Sequence, residues 1–216
     1  MADAARRRQE MVRYQLLERG IDDPVVLEAM ARVPREEFVP EDLRDVAYAD
    51  SPLPIGNEQT ISQPYVVALM IEALELSPGD RALEIGTGSG YAAAVLAQVA
   101  GEVYTIERHQ GLAEVAARRF ERLDYGNIHV RHANGTLGWP EHAPYDAIVV
   151  TAGGPHVPEP LREQLAVGGR LVIPIGATLH SQELIRLRRI APDRFRREDL
   201  GAVRFVPLVG EAGWQA

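Results

Sequence analysis

The chain has 216 residues and a formal charge of −8, from 23 basic and 31 acidic side chains, a size that suits one domain able to bury a core without staples. It has no cysteine, which excludes disulfides, thiolate nucleophiles, iron–sulfur clusters and cysteine zinc sites, and no lysine, which excludes Schiff-base chemistry and the Walker phosphate lysine. The acidic balance argues against a nucleic-acid partner, no apolar run reaches the roughly 20 residues of a membrane span, and without an export signal the expected compartment is the cytoplasm.

Residues 3–19 have the spacing of an amphipathic helix that Gly20 ends, and the triplet Arg6-Arg7-Arg8 reads as its exposed start. Asp22 or Asp23 caps a second helix that carries Pro24 in its first turn. Residues 33–54 read as turns with short helical pieces, and 55–63 as a loop. Pro64 opens a third helix running to about Leu76. Beyond the turn at 77–80 the pattern alternates between strands and helices. Strands are predicted at Arg81–Ile85, Val103–Glu107, Ile128–His132, Asp146–Thr151, Arg170–Pro174, Glu183–Ile190 and Val203–Leu208. Helices are predicted at Tyr91 to about Val99, Gly111–Leu123 and Pro160–Leu165. That alternation implies an α/β fold: a doubly wound, mainly parallel seven-stranded Rossmann-like sheet, with residues 1–78 as a helical cap and substrate loop and 79–216 as the cofactor-binding core of one domain. In such a sheet ligands sit at the carboxyl ends of the strands, at the switch point beside the first one.

The segment LEIGTGSGY, residues 83–91, lies at that switch point. Gly86, Gly88 and Gly90 permit a tight turn and close backbone approach to a ligand. The dinucleotide fingerprint fails at Tyr91, the P-loop fails for want of lysine, and a hydrolase elbow around Ser89 fails because Thr87 and Tyr91 stand where glycines are needed. What remains is acid–x–G–x–G–x–G, Glu84 through Gly90. Glu107 closes the second strand, 21 residues after Gly86, where a carboxylate accepts from both ribose hydroxyls of an adenosine moiety. The six histidines form no pair with a nucleophile. His129 and His132 point to opposite faces of one strand and cannot share a metal, so no metal site is expected. His156 reads as an exposed loop residue, Trp139-Pro140 as loop packing, and Trp214 as either a lid element or a frayed tail.

The glycine turn paired with Glu107 resembles the class I S-adenosylmethionine-dependent methyltransferases. GIDDPVVLEAMARVPREEFVP, AYADSPLPIGNEQTISQPYVVALM, APYDAIVVTAG, GGRLVIPIG and RFVPLVGEAGW together resemble one branch, the protein-L-isoaspartate O-methyltransferases, over nearly the whole chain. The resemblance implies a transferase that moves a methyl group from S-adenosyl-L-methionine to the free α-carboxylate of isoaspartyl residues in proteins and peptides, leaving S-adenosyl-L-homocysteine. It implies Ser62, in TISQP, as the catalytic residue. Gln59, Thr60, Ile61, Glu84, Gly86, Thr87, Gly88, Gly90, Glu107, Arg108, Asn134 and Gly135 become cofactor contacts, and Thr60, Ser62 and Val209 substrate contacts. Asn134 replaces the family's usual Asp, so its amide oxygen would accept from the adenine amino group without charge assistance.

A carboxylate acceptor is ionised at neutral pH and needs no general base, which agrees with the lack of a catalytic histidine, cysteine or lysine arrangement. Local residues alone leave open whether Ser62 caps the helix, whether Pro64 as its first residue makes Gln63 the cap and leaves Ser62 just outside, or whether Thr60 is the cap with Gln63 completing a capping box. Three rivals stay open: a methyltransferase with another acceptor, a nucleotide-binding oxidoreductase, and a non-catalytic cofactor-binding module. Nothing demands more than a monomer, and the order of the last two strands is not fixed by sequence.

Overall fold

The computed structural model describes residues 2–178 and 180–215. The N-terminal helix begins as α1 (Ala2–Glu10), then winds as a π-helix over Met11–Leu16 and a 3₁₀ turn over Leu17–Arg19, ending on Gly20 at φ +95°. The expected span holds, but its winding changes. Met11 and Leu16, five residues apart, are both buried, and the wider π winding sets positions five apart on one face. The arginine triplet is tied down by acids: Arg6 and Arg7 by Asp3, Arg8 by Glu36. Helix α2 (Pro24–Arg32) takes Asp23 as its cap, whose Oδ1 accepts from the Val25 amide at 2.8 Å. Two 3₁₀ turns follow, Arg35–Phe38 and Glu41–Val46.

The stretch expected as a loop forms a hairpin instead, β1 (Leu53–Gly56) against β2 (Gln59–Ile61). Asn57 and Glu58 both have positive φ, +49° and +58°. Such a two-residue turn matches the twist of paired strands. Leu53 faces Ile61 across the pair and both are buried. Helix α3 (Pro64–Glu72) leads into the alternating part: β3 (Arg81–Ile85), α4 (Tyr91–Leu96), β4 (Glu102–Glu107), α5 (Gln110–Arg122), β5 (Ile128–His132), β6 (Tyr145–Val150), α6 (Glu159–Gln164), β7 (Leu165–Thr178), β8 (Ser181–Ala191) and β9 (Arg194–Val203).

The seven-stranded sheet has the order β5-β4-β3-β6-β7-β8-β9. Its first five strands are parallel, and β8 runs antiparallel between β7 and β9. Alternate residues feed two apolar clusters. Ala82, Val103, Val149 and Val172 face the cap and α3–α5, while Leu83, Ile106, Ile148 and Leu171 face α6, as the period of two requires. The chain order reverses between β3 and β6, and the crevice above that point holds the site.

The last strand lies earlier than expected. The run VRFVPL, residues 203–208, is expected as a strand, whereas the charged segment RFRREDLGAV forms β9 and ends at Val203. An edge strand tolerates charge on exposed positions, and Pro207 has no amide to give a ladder. Residues 204–209 instead cross the carboxyl ends of the sheet. There the Gly153 amide donates to the Val206 carbonyl and the Leu208 amide to the Gly153 carbonyl, both at 2.8 Å.

Candidate active site

Five segments converge on one cleft at the carboxyl ends of β3, β4 and β6: the end of the β1–β2 hairpin, the turn after β3, the end of β4, the residue pair after β5, and the 206–209 crossing. The cleft encloses about 760 Å³, its open mouth included. The turn after β3 is shaped by two close approaches. A Cβ on Gly86 (φ +100°) would stand 2.5 Å from Thr151 Oγ1, whose hydroxyl donates to the Gly86 carbonyl at 2.7 Å. A Cβ on Gly90 (φ +89°) would meet the Phe120 ring at 2.5 Å. Gly86 therefore borders the cleft, while Gly90 lets α4 start close against α5.

Two carboxylates line the cleft and differ in their surroundings. Glu107 is 4% exposed, and each of its oxygens accepts one backbone amide, Gly88 N to Oε2 at 2.8 Å and His109 N to Oε1 at 2.9 Å. Each oxygen keeps a further lone pair, enough for a diol. Glu84 is fully buried. Its Oε2 accepts from Thr105 Oγ1 at 2.5 Å, and Thr105 and Thr87 hydroxyls lie 2.6 Å apart. Glu84 Oε1 has no protein partner. Burial pushes this carboxyl up to about 8; the Thr105 hydrogen bond opposes the rise and the Glu107 charge adds to it. Oε1 is itself sealed from the cleft, so the acid backs the turn from behind.

Ser62 sits at a seam. Together with Thr60, Thr151, Val206 and Pro207 it lines both the inner cleft and an adjoining outer groove. Its hydroxyl forms no hydrogen bond among the described residues, and the cap position of α3 is Gln63, whose side chain makes no capping bond. Neither Ser62 nor Thr60 is a helix cap.

Of the other residues singled out from sequence, Gln59, Thr60, Ile61, Thr87, Gly88, Arg108, Gly135 and Val209 also line the inner cleft. Gly90 and Asn134 do not. Asn134 Oδ1 accepts from Thr136 N at 3.1 Å and from Thr136 Oγ1 at 2.8 Å, so the oxygen expected to meet adenine is already filled. Its neighbour Gly135 reaches the cleft because a Cβ there would lie 2.5 Å from Ile85 Cγ2.

Sequence reasoning missed Thr151, Tyr91 and the 206–208 segment. Thr151 follows the end of a buried parallel strand at the switch point, a position that marks it in principle. Residues 206–208 were hidden by their resemblance to a strand. His156 is exposed and away from the cleft. Trp139 packs edge-on to Tyr104. Trp214 is not frayed: its indole donates to the Gly153 carbonyl at 2.9 Å.

The family described as protein-L-isoaspartate(D-aspartate) O-methyltransferase matches residues 6–213. Protein-L-isoaspartate O-methyltransferase 1 of Geotalea uraniireducens (strain Rf4) is 62% identical over 210 residues, spanning 97% of this chain and 96% of that one. The protein of the same name from Syntrophobacter fumaroxidans is 55% identical over 215 residues, spanning all of both chains. A solved protein-L-isoaspartate O-methyltransferase superposes with a TM-score of 0.85 at 33% identity, covering 95% of this chain and 67% of that one. A Plasmodium falciparum structure of the same description, in complex with S-adenosyl-L-homocysteine, gives 0.78 at 29% identity over 92% of this chain and 96% of that one.

Proposed function

The chain belongs to the protein-L-isoaspartate(D-aspartate) O-methyltransferase family, and from that premise we propose how its cleft works. The enzyme moves the methyl group of S-adenosyl-L-methionine to the free α-carboxylate of L-isoaspartyl residues in damaged proteins and peptides, which starts their repair through a succinimide. The bound cofactor supplies an electrophilic methyl on a sulfonium.

In our assignment Glu107 takes the ribose diol on its two remaining lone pairs. The Gly86–Gly88 turn lets the cofactor lie against bare backbone, with Thr87 and Arg108 beside it. Glu84 stands in the wall behind the turn, its carboxyl buried. Gly135 borders the adenine, with Asn134 holding its turn through Thr136. Gln59, Thr60 and Ile61 cover the cofactor from the hairpin side, and Thr60 and Val209 flank the acceptor.

Ser62 orients the acceptor. Its hydroxyl is uncommitted and stands where the inner cleft opens to the groove, and that observation carries the assignment. Sulfonium and carboxylate charges both fade in the transition state, so a dry cleft favours it over the ion pair once binding supplies the desolvation. A serine that donates to one carboxylate oxygen leaves the other aligned on the methyl group. No proton needs to be moved.

We further propose that residues 1–216 act as one domain, as a monomer in the cytoplasm, with no nucleic-acid or membrane partner. The net charge of −8 favours that reading, and no described helix is long and apolar enough to cross a membrane.

The test is methyl transfer from labelled cofactor to two peptides that differ only in an isoaspartyl or aspartyl linkage. Base-labile label on the isoaspartyl peptide alone is expected. In Ser62→Ala, turnover should fall about ten- to a hundredfold, the worth of a hydrogen bond to a charged group, while the cofactor Kd stays within twofold. Equal loss of both makes Ser62 structural.

A further inference from the structure

The outer groove carries a charge that the chemistry above leaves unused. Arg204 lines it, exposed, one residue beyond β9. Its guanidinium makes no ion pair or hydrogen bond among the described residues. Three arginines of the adjoining strands are neutralised instead: Arg186 is paired with Glu198, Arg188 with Glu75 and Arg197 with Glu183. The described residues lining the groove include no carboxylate, and besides Arg204 only His180 is titratable. The rest of its wall is mainly small or apolar, with Ala202, Val203, Phe205 and Val206 beside the arginine. On a chain of net charge −8, an unneutralised cation is thus placed in the groove that opens onto Ser62.

A methyl acceptor bound at Ser62 is one residue of a longer chain, and the groove that meets the cleft at Ser62 is where its neighbours have room. Exposed positive charge with no internal partner attracts a carboxylate there, and apolar surroundings weaken the screening of that attraction. We propose that Arg204 is a specificity-determining residue: it binds a carboxylate in the acceptor segment flanking the isoaspartyl residue, so that acidic flanks are methylated in preference to neutral ones. This rests on the isoaspartyl reading of the site.

The experiment uses the full-length enzyme and a panel of isoaspartyl peptides with Glu or Gln at each of the three positions on either side of the isoaspartyl residue. The readout is the ratio of kcat/KM for the Glu and Gln peptides within one protein, so that loss of folded enzyme cancels. In the wild type the ratio should exceed one at one or more positions by roughly two- to fivefold, the range of a solvent-facing ion pair, and should shrink as salt is raised. Arg204→Gln should bring it to one. Arg204→Glu should favour a Lys-flanked peptide at the same position. A wild-type ratio of one throughout, or a preference that survives in Arg204→Gln, overturns the assignment. Failure to methylate any isoaspartyl peptide overturns the reading of the site, and this inference with it.

Discussion

Glu84 and Glu107 stand at the carboxyl ends of adjacent strands, yet their surroundings give them opposite work. Glu107 is braced by two amides and keeps acceptor capacity for a diol. Glu107→Gln places an amide donor where one of those N–H groups points, so the brace and the diol contact weaken together. The cofactor Kd, measured by calorimetry, should rise about tenfold or more; a change under twofold would remove Glu107 from the binding site. Glu84 is held to about 8 by burial, against an ordinary value of 4.5. Between those limits the folded state binds a proton that the unfolded chain has released. Stability therefore falls as pH rises through that window, and the cost is complete above about 8. Glu84→Gln has no such cost. The urea midpoint of the wild type relative to the variant should drop between pH 5 and pH 8.5, and a pH-independent difference would show that burial does not neutralise the acid. A third residue, Arg35, is fully buried, with Nε donating to the Ala47 carbonyl at 2.7 Å and its guanidinium carbon 4.8 Å from the centre of the Tyr91 ring. Arg35→Ala removes that contact and leaves a void but also relieves two terminal nitrogens buried without a partner, so the net cost should stay below about 2 kcal/mol in chemical denaturation.

At the scale of elements, strands β3, β4 and β6 were legible because buried parallel strands are short apolar runs bounded by turns, and the turn and acid that line the cleft were legible with them. The glycine turn and Glu107 sit at fixed offsets from strand ends, which local sequence encodes. β9 and the 204–208 run mislead for opposite reasons. β9 is charged because it is an edge, so it lacks the apolar signature. The 204–208 run is apolar because it lies over the sheet, so it has that signature without being a strand. Asn134 is expected to offer its oxygen to adenine, but that oxygen is taken by Thr136, which the C-terminal segment holds in turn, Ala212 N donating to Thr136 Oγ1 at 3.2 Å. No local pattern encodes that. The hairpin itself was signalled only by Asn57, since Glu58 is a poor choice for positive φ. Glu58→Gly should relieve that strain and raise Tm by about 1–3 °C, the shift expected for roughly 0.5–1 kcal/mol in a chain of this length. A lowered Tm in a thermal melt would show that the Glu58 side chain contributes more than its backbone costs.

At the scale of the whole molecule the question is whether the helical part of the cap that precedes the hairpin, residues 2–46, is a separate body. Its apolar residues belong to the same cluster as one face of the sheet: Met11, Leu16, Ile21, Met30 and Phe38 are buried together with Ala82, Val103, Val149 and Val172. The joint is specific. Tyr91, first residue of α4 and a wall of the cleft, donates its hydroxyl to Met30 Sδ at 3.6 Å and meets Phe38 edge-on at 5.7 Å between centroids. Polar ties run alongside. Glu72 of α3 accepts from the amides of Asp22 and Asp23 at 2.8 and 2.9 Å, and Arg122 of α5 pairs with Glu37 at 2.8 Å. Removing the cap would bare the helices α3 and α4, and an apolar face of that kind is stable only when covered. The Ser62 side of the site also hangs on this joint, because the hairpin and α3 connect the cap to the sheet. Unfolding should therefore be one cooperative transition, with far-UV dichroism reporting all helices and Trp139 and Trp214 fluorescence reporting the sheet, their denaturant midpoints coinciding. If the cofactor binds where hairpin, glycine turn and Glu107 meet, as proposed, it should move both midpoints upward together. Midpoints that separate, or a cofactor that shifts the tryptophan signal alone, would show a cap that melts by itself and a cleft assembled by the α/β core without it.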